Sequence, residues 1–267
     1  MSHSPVLELF AEELKIFRTA AGMTQTELAE EISYSGALVG KIESCDRRPS
    51  ADFARRCDKV FNTGGILARI QRKLGRDSLV AWFREWAELE QEAEALRWFE
   101  PLFVPGLLQT EAYARTVLSG SGLHRAEALE QQVTARMERQ ELLTHGQSPL
   151  LTVVMDASVL HRPVGSPEVM REQLRHLTKL GSSLPRLRIH VVPETAGAYA
   201  GLNGPFVMAT PPTGEDIVYI EGQLNGQTYD RAEDVKRTVQ VWESIRGEAL
   251  PHQQSLELIS EVAETWT

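Results

Sequence analysis

The sequence predicts two domains, an all-α N-terminal bundle of five short helices and a larger α+β domain. Three observations carry that expectation. The 267 residues exceed the roughly 100–200 that one domain usually holds. Helical periodicity with capping signals runs through the first 75 positions, and β-branched runs of strand length begin only near position 150. With 42% apolar and 24% charged residues the composition is that of an ordinary globular chain, which excludes disorder, collagen and coiled-coil rods. No stretch approaches the roughly 18 consecutive apolar residues of a membrane span, and the N-terminus meets Glu8 where a signal peptide would carry its apolar core. A cytoplasmic protein is expected. Cys45 and Cys57 have neither zinc-ligand spacing nor a disulfide framework, so both are read as reduced structural thiols, with no metal and no cofactor.

The elements follow in order. Phe10, Leu14 and Phe17 form a helical stripe that stops at Gly22. Thr24 opens a second helix with Glu27 three places on, the spacing of a capping box, and Leu28, Ala29 and Ile32 on one face. Ser35 caps a third helix carrying Leu38, Val39 and Ile42. Pro49 and Ser50 begin a fourth, with Phe53, Ala54, Cys57, Val60 and Phe61 on one face. A last helix spans 66–74, and Gly75, Arg76, Asp77 and Ser78 form the junction, giving domains 1–77 and 78–267.

Beyond the junction the pattern predicts a helix over 79–99, then the segment PLFVPGLLQ, where Pro101 and Pro105 forbid regular helix and the apolar side chains demand burial or docking. Helices follow over 111–118, 125–143 and 167–180, strands over 150–155, 188–192, 205–209 and 216–221, and helices over 232–246 and 253–266. Four of the five Trp (82, 86, 98 and 266) fall in the first and last of these helices, which predicts that those two ends pack together.

Charge separates the two parts. Residues 1–76 hold 12 Lys and Arg against 10 Asp and Glu, a net of +2, leaving 16 basic against 27 acidic residues beyond them, a net of −11. A polyanion such as DNA is repelled by the second part, so nucleic-acid contact belongs to the first.

The stretch QTELAEEISYSGALVGKIE, 25–43, satisfies what two helices crossing at a tight turn need: apolar Leu28, Ile32, Tyr34, Val39 and Ile42, and a small Ala29 at the close approach. Ser33 stands at the turn position that most often carries glycine for its freedom at positive φ. With AAGMTQ before it and IESCDRRPS after it, where Cys45 again replaces a usual glycine, the segment resembles the helix-turn-helix of the Cro/repressor type, the XRE family, over about residues 10–70.

The resemblance implies a sequence-specific transcriptional regulator, associated with the nucleoid when bound, whose second helix enters the major groove of an operator. By position, Gln25 touches phosphate or a base edge, Ser35, Gly36, Ala37, Gly40 and Lys41 face the groove, and Arg47 and Arg48 grip the backbone. That face is poor in hydrogen-bonding groups, so DNA shape is expected to matter beside direct readout. Arg55, Arg56 and Lys59 are read as a solvated face. One such module makes few base contacts, which implies a homodimer on half-sites about 34 Å apart.

From Arg97 to Arg115, around Arg136 to Arg139, and again at Leu160 to Leu177, Gly201 to Ala209 and Val218 to Gly222, the rest resembles the antitoxin-like C-terminal domain of actinobacterial regulators. The resemblance implies a small partner protein encoded nearby and ties to development and antibiotic production. The residues leave three readings open. The domain binds that partner, through Phe103, Val104, Leu107 and Leu108 or a sheet edge. It encloses a small-molecule effector, with Asp156, His161, Arg162, Tyr219 and Glu221 converging on a pocket. Or it is an enzyme, the weakest reading, since G-x-S-x-G, H-E-x-x-H, the Walker loop and G-x-G-x-x-G are all missing from the sequence.

Overall fold

A computed structural model of the protein describes residues 5–77, 81–120, 122, 126–144, 148–222 and 225–267. Its contacts divide the chain into two units, Met1–Val80 and Ala81–Thr267.

The first unit consists of α1 (Pro5–Ala20), α2 (Gln25–Glu31), α3 (Gly36–Glu43), α4 (Ala51–Phe61) and α5 (Ile66–Asp77). Serine and threonine caps start three of them. The Thr24 hydroxyl accepts from the Glu27 amide while the Glu27 carboxylate accepts from the Thr24 amide, and Ser35 and Ser50 accept from Leu38 N and Phe53 N. The apolar faces meet in one core of Phe10, Leu14, Leu28, Ile32, Val39, Ile42, Phe53, Cys57 and Leu67, all essentially inaccessible. Burial pushes the Cys57 thiol up to about 12, so it stays protonated and unreactive. Asp58 closes the bundle from within, accepting from the amides of Leu67 and Ala68 at the start of α5 and from the Thr63 hydroxyl. The last helix runs on through Gly75 to Asp77, past its predicted end, because one glycine inside a helix costs only about 1 kcal/mol. Ser78 and Leu79 lie outside the described residues.

The second unit corrects the sequence at its first step. The helix predicted over 79–99 is two elements, α6 (Ala81–Glu92) and β1 (Ala95–Glu100). β1 sits in the sheet interior, parallel to β2 (Leu150–Asp156) and antiparallel to β4 (Phe206–Thr210). A strand covered on both faces shows no alternation of apolar and polar residues and mimics a buried helix.

Between β1 and β2 run α7 (Glu111–Ser119) and α8 (Ala126–Arg139), with Arg125, its predicted first residue, outside the described positions. The short α9 (Ser158–His161) and α10 (Pro167–Ser183) lead to β3 (Leu187–Val192), and β5 (Ile217–Glu221), β6 (Gly226–Tyr229), α11 (Ala232–Glu248) and α12 (His252–Thr265) complete the unit. The sheet order is β3-β2-β1-β4-β5-β6. β6 went unpredicted because GQTY is short and carries no apolar alternation.

Phe99, Val154, Phe206, Met208 and Val218 face α11, burying Trp242 and Ile245. The two helices expected to meet through their tryptophans stand at opposite edges instead. Trp86 of α6 stacks on Tyr219 of β5, whereas α12 packs on α10 and β3 and Trp266 donates to Leu160 O. Trp98, read as helical, lies in β1. Among the described residues no helix is long and apolar enough to cross a membrane.

Candidate functional site

The two helices of the N-terminal motif are aimed by hydrogen bonds that the sequence only partly discloses. The chain between α2 and α3 turns at Ser33 with φ +59°, and the chain leaving α3 turns at Cys45 with φ +62°. Both are the positions where glycine is usual, and both hold an L side chain in the left-handed region at a cost of about 1 kcal/mol or more. A Ser33→Gly variant is therefore expected to raise stability by about 0.5–1 kcal/mol, part of the relief being offset by unfolded-state entropy. Thermal melting of the two proteins checks this, and a variant that melts lower would show that the serine relieves its own strain.

Gly36 and Gly40 are half-buried, and each has a second task against α2. A Cβ at Gly36 would lie 3.2 Å from the Thr26 hydroxyl, and one at Gly40 would lie 3.1 Å from the Gln25 amide oxygen, so these glycines let α3 pass close to α2. The face left open on α3 and its flanks is Ser35, Ala37, Lys41 and, unforeseen, Ser44, whose hydroxyl donates to Asp46 at 2.6 Å.

Gln25 is held beside this face. Its amide nitrogen donates to Glu43 at 2.8 Å, and Glu43 is gripped by Arg18 through a bidentate pair at 2.6 and 2.9 Å. Burial drives the Glu43 carboxyl upward, but the hydrogen bonds from Arg18 and Gln25 outweigh it and hold the group below the ordinary carboxylate range. Arg47 is exposed and its backbone amide donates to Lys41 O. Arg48 is half-buried and donates to the Leu74 carbonyl at 2.8 Å, which ties it into its own unit. Arg56, assigned to a solvated face, pairs with Asp52 at 2.7 Å and donates to Ile32 O at the end of α2, with Tyr34 beneath its guanidinium.

In the second unit the residues assigned to a partner surface are mostly interior. Val104, Leu107 and Leu108 are at most 1% exposed and Phe103 is half-buried. Glutamines satisfy the backbone of this segment, whose one regular piece is a single 3-10 turn at Gly106–Leu108. Gln109 donates to Val104 O, Gln140 to Gly106 O and Gln109 O, and Gln173 to Leu108 O, while Thr110 N donates to Gln173. These partners come from the turn after α8, from α10 and from the loop itself, too far apart in sequence to be read as a set.

The residues assigned to an effector pocket are divided between two places. His161 ends α9 and Arg162 follows it, both exposed, and Asp156 accepts from Tyr199 Oη and Ser158 N at the end of β2. Tyr219 and Glu221 belong to β5, three strand spacings away, roughly 14 Å, with β1 and β4 between.

Tyr219 opens instead onto a charged cluster that the sequence did not reveal. Its ring stacks on Trp86 and meets Phe83 edge-on, and its hydroxyl is buried without a hydrogen-bond partner among the described residues. Nearby, Glu90 of α6 is fully buried and receives a bidentate pair from Arg139 of α8 at 2.6 and 2.7 Å, with Phe83 and Trp98 flanking the guanidinium. Burial and the neighbouring Arg139 bring Arg136 down to about 10. Burial also pushes Glu100, at the end of β1, up to about 8, which favours its neutral form, and it accepts from Leu102 N.

Comparison with family models finds two matches. Residues 9–69 match a helix-turn-helix domain and residues 83–261 match a domain of unknown function, DUF5753. No curated protein and no solved structure matches the chain. The first match makes the chain a helix-turn-helix DNA-binding regulator, and because the second takes in more than half of its length, the chain belongs to the DUF5753 family.

Proposed function

We propose that the protein is a sequence-specific transcriptional regulator of the Cro/repressor (XRE) class. It acts as a homodimer and takes a small partner protein, encoded nearby, on its C-terminal domain in the antitoxin-like manner. No catalytic activity is part of the proposal. The observation that carries it is the geometry of α2 and α3: Ala37 and Lys41 stand open on one helix face and Ser35 is exposed at its N-cap, with Gln25 braced beside them by Glu43. A helix so presented fits the major groove, where Lys41 and Gln25 reach base edges and Ala37 meets a thymine methyl group, while Arg47 holds the backbone. Partner binding alters the spacing or freedom of the paired heads and thereby their fit to two half-sites one helical turn apart.

Selection of bound duplexes from a random pool tests the reading, with recovery of a two-fold site expected. On that site Lys41→Ala is expected to cost about 1–3 kcal/mol and to relax preference at one position. Arg47→Ala is expected to weaken all sequences alike and to flatten the salt dependence by about one phosphate contact. No preference for any duplex over random DNA at low salt would refute the proposal. A small-molecule effector remains a second reading, favoured by the perturbed Glu100 and Arg136 carboxyl and guanidinium groups inside the second unit. Small polar compounds that raise the melting temperature of that unit would support it.

A further inference from the structure

The sheet of the second unit treats its two edges differently. At the β3 edge the link between α11 and α12 and the first turn of α12 close the strand: Leu250 N donates to Val191 O, Val191 N donates to the Ser255 hydroxyl, and His190 Nδ1 meets Leu250 O at 3.0 Å. The β6 edge has no such cover among the described residues. Gly222 N donates to Asn225 O at the mouth of the β5–β6 hairpin, so Glu221 and Gly226 form a non-bonded pair, Ile220 and Gln227 a bonded one, and Tyr219 and Thr228 again a non-bonded one. The N–H and C=O groups of Gly226 and Thr228 therefore point away from the sheet.

Beside that edge runs an open groove of about 350 Å³ lined by Gly226, Gln227, Thr228, Tyr229 and, from α6, Glu85. Its surroundings are acidic: Glu85 is exposed in the groove and exposed Asp230 follows Tyr229, with Arg231 beyond it, while Glu221 opposite Gly226 faces Arg139 and Arg136. Gly226 leaves room for the Tyr219 ring, which reaches across from the neighbouring strand, since a Cβ there would fall 2.1 Å from the Tyr219 hydroxyl. An unpaired, flat edge is what an extended chain adds to, its backbone supplying affinity and alternate side chains supplying specificity.

We propose that β6 is the docking edge for the partner protein, which adds an extended segment as a seventh strand and places basic side chains against Glu85 and Asp230. This rests on the reading of the C-terminal domain as a partner-binding domain and says where the partner binds. Four backbone hydrogen bonds are available from Gly226 and Thr228. A second copy of this chain is the poorer occupant, because two acidic edges would face each other.

The probe is a fluorescent seven-residue peptide of alternating valine and lysine, titrated against the full-length protein. Comparators are its valine–glutamate counterpart and two N-methylated forms, one blocked at the valine nitrogens and one at the lysine nitrogens. The basic peptide is expected to bind at least tenfold tighter than the acidic one. One N-methylated form should lose binding and the other keep it, because only alternate amides face β6. Thr228→Pro, which removes an outward N–H and no bond to β5, should weaken the peptide at least tenfold, Glu85→Lys at least fivefold, and Thr228→Val little.

Equal binding of the two N-methylated forms, or undiminished binding to Thr228→Pro, would overturn the proposal. So would a dimer in sedimentation that Thr228→Pro dissociates, which would give the edge to a second copy. Should Thr228→Pro fail to fold by circular dichroism, the two N-methylated peptides on the unaltered protein still decide. A partner-dependent change in operator affinity that survives in Thr228→Pro would sink the edge while leaving the regulator reading intact.

Discussion

Replacing Arg139 by alanine is expected to remove about 3–5 kcal/mol of stability from the second unit, the cost of leaving a buried carboxylate without its counter-charge. Glu90 is wholly inaccessible and Arg139 nearly so, its side chain 11% exposed. The guanidinium supplies both carboxylate oxygens with a hydrogen bond, while Trp86 Nε1 adds a third at 3.3 Å. Two aromatic rings, Phe83 at 4.7 Å and Trp98 at 5.6 Å, also lose their cation. Arg139→Lys keeps the charge but not the planar fork and is expected to fall between wild type and alanine. The double variant Glu90→Leu with Arg139→Met should recover most of the loss, since a well-packed apolar pair replaces the ion pair without stranding a charge. All five tryptophans lie beyond the first unit, so denaturation followed by tryptophan fluorescence reports this unit. A loss under about 1 kcal/mol in Arg139→Ala would show that water reaches Glu90 and that the pair is a surface contact.

Glu43→Gln is expected to act on the first unit with comparable force and with a signature in pH. Arg18 and Glu43 have side chains 11% and 5% exposed, and the glutamine strands the arginine, at a cost of about 3 kcal/mol. The sign of the pH effect follows from the depressed carboxyl. Glu43 contributes stability above its unfolded value of about 4.3, and that contribution disappears as the pH falls through the lower folded value. Wild type should therefore lose stability on acidification below about pH 4 more steeply than Glu43→Gln, and the two melting curves should approach each other there. Gln25 loses its acceptor in the same variant, so specific DNA affinity is expected to fall more than affinity for random duplex. Equal losses on both would free Gln25 of any part in readout.

The head was legible because its signals are local. Thr24 with Glu27, Ser35 and Ser50 mark helix starts within four residues of the amides they cap, and Ser33 and Cys45 take the left-handed conformation that their places in the motif demand. What escaped was long-range. Asp58 caps a helix nine residues away, and Arg139 finds Glu90 across 49 positions of sequence. β1 hid because burial on both faces erases periodicity, and β6 because four polar residues on an edge leave no pattern. The apolar loop holding Val104, Leu107 and Leu108 was correctly read as needing cover. Its cover comes from its own unit, through glutamines whose role no spacing announces.

The bond from Arg48 to the Leu74 carbonyl has a mechanical side. It fastens the loop at the far end of α3 to the last turns of α5, the helix from which the polypeptide runs on past residue 77. Twisting or unwinding of that helix end obliges the loop to follow or the bond to break. Displacing the last turns of α5 thus loads, through the Arg48 guanidinium, the loop that follows α3.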